Sequence, residues 1–323
     1  MFWTAWSLTT VLAACCVVAD LEGPALVLTV AAAGLTTATL LRSLPTPGVA
    51  DDVVMPRRHL YAGAALLCVV LVLLVAALGR AIVFGLPLVG AVAWAAGRDR
   101  IRRTELVAAT ALAAVASAAG LGAGWIEEFP QEIWAALQFP LVLLGLLGGW
   151  ALWRRLGLQD TGLAPSRLAA GRMRVAAASA VSGILLSAPW ALTNLALAAE
   201  DHDAWATEWW SPLAALQPGI AEEAWGRVLL VPVAVAILRP SRPGHRVVTV
   251  VAVVVAFWFA YLHAFEQDAL SAAVSTLLIG ALFSLPVTFL WLRRDLETAI
   301  GWHIGVDMVR IGGAYVASAG LWG

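Results

Sequence analysis

Charged residues, prolines and turn clusters divide the chain into apolar runs at 3–19, 24–41, 60–79, 81–97, 105–125, 133–153, 175–199, 212–238, 247–266, 269–292 and 296–319. Most approach the roughly 20 residues that a helix rising about 1.5 Å per residue needs to cross a hydrocarbon layer about 30 Å thick. The pattern predicts an all-α protein, a polytopic transmembrane helical bundle of about eleven spans. The run at 81–97 is short, carries Pro87 and is parted from the preceding run by Arg80 alone, so it reads as a span or as a re-entrant segment. The first run follows no basic segment and ends in CCVVADLEG without a small-residue cleavage pattern, which reads as a retained span.

Arginine orients these runs, because short cytoplasmic loops collect basic residues while acidic ones carry little weight. Arginine-bearing loops occur around Arg57 and Arg58, from Arg98 to Arg103, from Arg154 to Arg174, from Arg239 to Arg246 and at Arg293 and Arg294. These are alternate connections, with Arg80 the one exception, which puts the N-terminus in the cytoplasm and the C-terminus outside. Trp125, Trp134, Trp150, Trp153, Trp205, Trp209, Trp210 and Trp291 fall near run ends, as expected of rings at the headgroup layer. The stretch RRLGLQDTGLAPSRLAAGRMR (154–174) divides an N-terminal helical region, 1–154, from a C-terminal one, 155–323.

Composition supports the membrane reading: 61% of the 323 residues are hydrophobic and 13% are charged. A formal net charge of −1 and the lack of a basic tail point away from nucleic acid and leave the bilayer as the surrounding partner. Every basic residue among the 20 is arginine, a usage that suggests a GC-rich bacterial source and hence a bacterial cell membrane. Cys15, Cys16 and Cys68 lie in apolar runs without metal-like spacing and read as inert thiols.

Charge placement then separates the two regions. Before residue 200 the runs hold almost no ionisable side chain away from their ends. After residue 217 they hold Glu222, Glu223, Arg227, His263, His303, Asp307 and Arg310. Each ionised group at mid-membrane costs about 2.5–3.5 kcal/mol on insertion scales, so these side chains are expected to face one another. Glu223 and Arg227 are four apart with the acid first, the favoured order of a helical ion pair, whereas Glu222 points about 100° away and has no partner on its own helix. His59, His202 and His245 fall in loops. The other two histidines fall in FAYLH (Phe259–His263) and HIGVD (His303–Asp307), the latter placing His303 and Asp307 on one helix face. A lone carboxylate, two imidazoles and a second carboxylate can together activate water and stabilise an oxyanion.

These stretches resemble the CAAX protease and bacteriocin-processing family of intramembrane endopeptidases, also called Abi-type. That family is marked by EExxxR, FxxxH and HxxxN or HxxxD on separate transmembrane helices. Here the motifs read Glu222-Glu223-Ala-Trp-Gly-Arg227, Phe259-Ala-Tyr-Leu-His263 and His303-Ile-Gly-Val-Asp307, in that order. The resemblance covers about residues 155–320. It implies hydrolysis of a peptide bond in a membrane-associated peptide or protein, with Glu222 as general base, His263 polarising the water, and His303 and Asp307 on the oxyanion side. Glu223, Arg227 and Phe259 would be supporting residues, and no cofactor would be needed. Asp307 departs from the Asn of the best-understood eukaryotic members. It would have to be protonated to donate a hydrogen bond, or else would orient His303.

Competing readings are a zinc-dependent variant with Glu222, His263 and His303 as ligands, a non-catalytic scaffold or bacteriocin-immunity-like protein, and a transporter. The last is disfavoured because the polar residues cluster in one third of the chain. Trp225, Trp258 and Trp302 beside the motifs read as packing. Arg310 shares the His303 stripe and would hold a substrate carboxylate or pair with an acid. The EDHD loop (200–203) reads as an exposed acidic loop.

Overall fold

A computed structural model describes residues 82–97, 101–122, 130–158, 166–197, 205–238 and 244–319. All regular structure among the described residues is helical. The runs at 3–19, 24–41 and 60–79, the three cysteines and the EDHD loop lie outside the described residues.

Eleven α-helices are described, several of them pieces of one span. They are α1 (Ile82–Gly97), α2 (Arg103–Gly120), α3 (Gln131–Arg155), α4 (Met173–Leu186), α5 (Ala188–Leu197) and α6 (Leu216–Glu223), followed by α7 (Leu230–Leu238), α8 (His245–Tyr261), α9 (Ala269–Ile279), α10 (Leu285–Arg293) and α11 (Leu296–Ser318). Gln131–Arg155 and the continuous stretch Ala269–Arg293, each of 25 residues, are long and apolar enough to cross a membrane. The pair α4 and α5 meets the same test as one span bent by 48°.

Local chemistry explains the irregular helices. Pro189 removes an N–H from the first turn of α5 and its ring opposes the carbonyl four residues earlier, while Ser187 Oγ turns back to the Ile184 carbonyl at 2.7 Å. The chain bends there. The run 212–238 is expected as one helix starting at Ser211, with Pro212 in the first turn and a kink at Pro218. In the structure Ser211–Ala215 is a 3₁₀ turn with Pro212 at its start, and Pro218 falls in the first turn of α6. The irregularity comes later, as a π-helical turn over Ala224–Leu229 immediately after the two glutamates. Such bulges are frequent at functional sites.

The described residues form two compact units: 82–97, 144–158, 226–238 and 244–285 make one, and 101–122, 130–143, 166–197, 205–225 and 286–319 the other. In the first, Ala93, Leu152, Leu229, Val233 and Ala236 form a buried cluster that joins α1, the end of α3 and α7. In the second, α11 packs along α4 and α5. Close approach is set by glycine. A Cβ on Gly301 would fall on the Ala180 carbonyl oxygen, one on Gly305 on Ser187 Oγ, and one on Gly183 at 2.7 Å from the Trp302 nitrogen. Small residues four apart let membrane helices touch backbone to backbone.

The N-terminus of α11 is fixed by a buried polar cluster. Glu297 accepts hydrogen bonds from Ser166 Oγ at 2.5 Å and from the backbone N–H groups of Arg167 and Leu168. Asp295 caps α11 through Thr298 and also accepts from Ser179 Oγ and Arg167 Nε, at 2.9 and 3.1 Å. Burial acts to raise the Asp295 carboxyl, but the bonds from Thr298, Arg167 and Ser179 outweigh it and hold the group below its ordinary 3.8. Because the folded value is the lower one, the stabilisation is present above the unfolded pKa and is lost as pH falls through the folded value. Acid unfolding in detergent is therefore expected to begin at higher pH in Asp295→Asn, and a mild loss of about 1 kcal/mol is expected near neutrality. Identical acid-unfolding curves would contradict the role given to this cap.

Two expectations about the aromatic and histidine positions change. Trp150, Trp153 and Trp291 are buried within the protein, whereas Trp209 and Trp210 are exposed. For the first three, packing against the protein replaces the headgroup layer. His245 is the first residue of α8, not a loop residue.

Candidate active site

Glu222 and Glu223 end α6, and His303 and Asp307 lie one helical turn apart on α11. All four belong to the same unit. Gly219 brings α6 close to α11, since a Cβ there would overlap the Ile304 side chain and stand 3.1 Å from its backbone nitrogen. That contact sets the two glutamates beside His303.

The imidazole of His303 is the centre of the cluster. Its Nδ1 is 2.9 Å from Glu223 Oε1. Its Nε2 is 3.6 Å from Glu222 Oε2 and 3.4 Å from Asp307 Oδ2. A carboxylate only accepts, so the short contact fixes a proton on Nδ1 and leaves Nε2 to face the other two acids. The two longer separations exceed ordinary hydrogen-bond length. A proton on Nε2 can be directed toward either carboxylate. Exposure separates the adjacent glutamates: the Glu223 side chain is 0% exposed and that of Glu222 is 21%. Glu222 is the acid that an incoming molecule can reach.

The i,i+4 spacing pairs Glu223 with Arg227 and by itself does not point to His303, the contact the structure shows. A signal was nevertheless present. Adjacent helical residues point about 100° apart, so two neighbouring acids can address one imidazole alongside them, one at each ring nitrogen. With Nδ1 held by Glu223, orientation of His303 falls to that residue more than to Asp307.

Arg227, Phe259 and His263 belong to the other unit and form their own chain of contacts. The Arg227 guanidinium carbon lies 4.9 Å from the Phe259 ring centroid, within reach of a cation–π interaction. The His263 ring is 4.8 Å from that same ring. The helix expected to carry His263 ends at Tyr261, so His263 sits in the following turn and is exposed. Its Nδ1 is 3.0 Å from the Phe259 carbonyl oxygen, which can only accept. The neutral ring therefore carries its hydrogen on Nδ1 and offers Nε2 as the acceptor.

Trp225, Trp258 and Trp302 are buried, as packing residues should be. Trp302 also meets Trp190 edge to face at 5.7 Å. Among the described residues no group of three or more His, Cys, Asp or Glu side chains is arranged to hold a metal ion. Compared with protein-family models, curated proteins and solved structures, the chain matches none.

Proposed function

We propose that this chain is an intramembrane endopeptidase of the CAAX protease and Abi type, hydrolysing a peptide bond in a membrane-associated peptide or protein. Support comes from one observation above the rest: both ring nitrogens of His303 are addressed by carboxylates, Nδ1 by Glu223 and Nε2 by Glu222 and Asp307. Glu222 removes a proton from water, and the resulting oxygen nucleophile bonds to the scissile carbonyl carbon. His303, held as an imidazolium with its Nδ1 hydrogen on Glu223, directs its Nε2 hydrogen toward the charge that develops on the carbonyl oxygen. As the C–N bond breaks, the proton held by Glu222 passes to the leaving amine. Asp307 shares the Nε2 proton. His263 keeps the water-polarising role that the resemblance gives it, for which loss of turnover in His263→Ala is the test.

The proposal extends to about eleven spans, an extracytoplasmic opening of the site and residence in a bacterial cell membrane, with the arginine-rich loops inside. Labelling of Ser241→Cys from outside intact cells would contradict that orientation. The function is tested by incubating purified full-length protein in nanodiscs with membrane-associated peptides and identifying products by mass spectrometry. Defined cleavage that survives metal chelation is expected. Cleavage lost on chelation together with stoichiometric zinc would replace the water-activating glutamate with the zinc variant, and intact peptides throughout would favour the non-catalytic scaffold.

A further inference from the structure

The unit that holds the candidate site also carries a group of arginines with no place in the chemistry above. Arg102 and Arg103 open α2, while Arg172 and Arg174 open α4; all four are exposed. The two segments are tied together. Thr104 Oγ1 donates to the Ala169 carbonyl at 2.8 Å, and a Cβ on Gly171 would lie 3.4 Å from the Thr104 methyl. Arg103 and Arg172 are thus each one residue from that contact.

The turn bearing Arg172 is closed by its own backbone hydrogen bonds. Gly171, at φ +74°, donates from its N–H to the Leu168 carbonyl, and Arg172 donates to the Arg167 carbonyl, at 2.8 and 2.9 Å. This is the paired closure of a Schellman turn, which needs a residue in the left-handed region. Glu297 clamps the start of the same turn through Arg167 and Leu168. Among the described residues, Arg167 is paired with Asp295, but none of the four exposed guanidinium groups makes an ion pair.

Apolar side chains follow at once. Val107 on α2 is 60% exposed; on α4 Met173, between Arg172 and Arg174, is 67% exposed and Val175, just beyond them, 47%. On both helices the surface changes from cationic to apolar within about one turn, the sequence of environments that a phospholipid presents from phosphate to acyl chain.

We infer that Arg102, Arg103, Arg172 and Arg174 form a binding site for the headgroup phosphate of an anionic phospholipid, with its acyl chains lying along Val107 and Met173. Planar guanidinium groups from two segments can hold one phosphate bidentately. A soluble anion would use the arginines and ignore the adjoining apolar surface. The site is independent of the peptidase proposal and does not require the protein to be catalytic.

Delipidated full-length protein in detergent provides the test, with native mass spectrometry reading retention of phosphatidylglycerol against phosphatidylcholine. Wild type is expected to retain phosphatidylglycerol preferentially. Arg103→Gln with Arg172→Gln is expected to weaken that retention roughly ten- to thirtyfold, the effect of removing two surface cations. The matched control Arg293→Gln with Arg294→Gln, at exposed positions outside the two segments, is expected to change it less than about twofold. Equal losses in the two double variants would reduce the effect to general surface charge and overturn the site. Displacement of phosphatidylglycerol by inorganic phosphate alone would assign the arginines to soluble anions and overturn it too.

Discussion

Glu223→Ala is expected to unfold at markedly lower temperature than wild type and to lose peptide cleavage, whereas Glu223→Gln should retain most of the stability. The glutamate is fully buried and accepts the His303 Nδ1 hydrogen at 2.9 Å. Removing the acceptor leaves a buried imidazole donor unanswered, and breaking a buried charged pair costs about 3–5 kcal/mol. A glutamine oxygen can still accept that hydrogen, so the ring keeps its tautomer, but the negative charge that favours an imidazolium is gone. Turnover should fall in the amide variant even where folding does not. Thermal unfolding in detergent and single-turnover cleavage measured on the same preparations separate the two effects. A Glu223→Ala protein as stable as wild type would remove Glu223 from its assigned place.

Gly301→Leu is expected to abolish recovery of folded protein, and Gly301→Ala to lower stability by about 1–3 kcal/mol. Ordinary helix propensity predicts the opposite sign for alanine, which is favoured over glycine by about 1 kcal/mol in a helix interior. The contact reverses it: any Cβ at position 301 meets the Ala180 carbonyl, which is backbone and cannot rotate aside. Separation of α4 from α11 would also move His303, two residues further along. Gly244→Ala serves as the comparison, because a Cβ there meets nothing within 4 Å and the change should cost only the modest loss of a glycine N-cap, less than the overlap at Gly301. Equal unfolding temperatures for Gly301→Ala and Gly244→Ala would show that the backbone approach is not limiting.

How much of this was legible follows from the range over which each interaction acts. The run 133–153 anticipated Gln131–Arg155, and 296–319 anticipated Leu296–Ser318, because a long apolar run between charges is itself the physical signal of a helix in lipid. The run 247–266 overshot the end of α8, since Leu262, Ala264 and Phe265 stay apolar through the turn and hydropathy does not register a change of backbone direction. The break in 175–199 had a local sign in Ser187-Ala-Pro189. The bond from Ser166 to Glu297 had none, as it joins residues 131 apart. Within the site, the i,i+4 spacing placed Asp307 beside His303, while assigning Glu223 to Arg227 rested on one helix alone. The imidazole that meets Glu223 came from α11, which only tertiary packing brings near.

In the proposed mechanism, Glu222 activates the water that cleaves the peptide. This role is tested most directly by single-turnover cleavage of one membrane-associated peptide by wild type and by Glu222→Gln, in the same nanodiscs and with unfolding temperatures measured in parallel. The expected result is a rate lower by about a hundred- to ten-thousandfold in the variant, at an unfolding temperature close to that of wild type. A Glu222→Gln protein that folds normally and cleaves at the wild-type rate would contradict it.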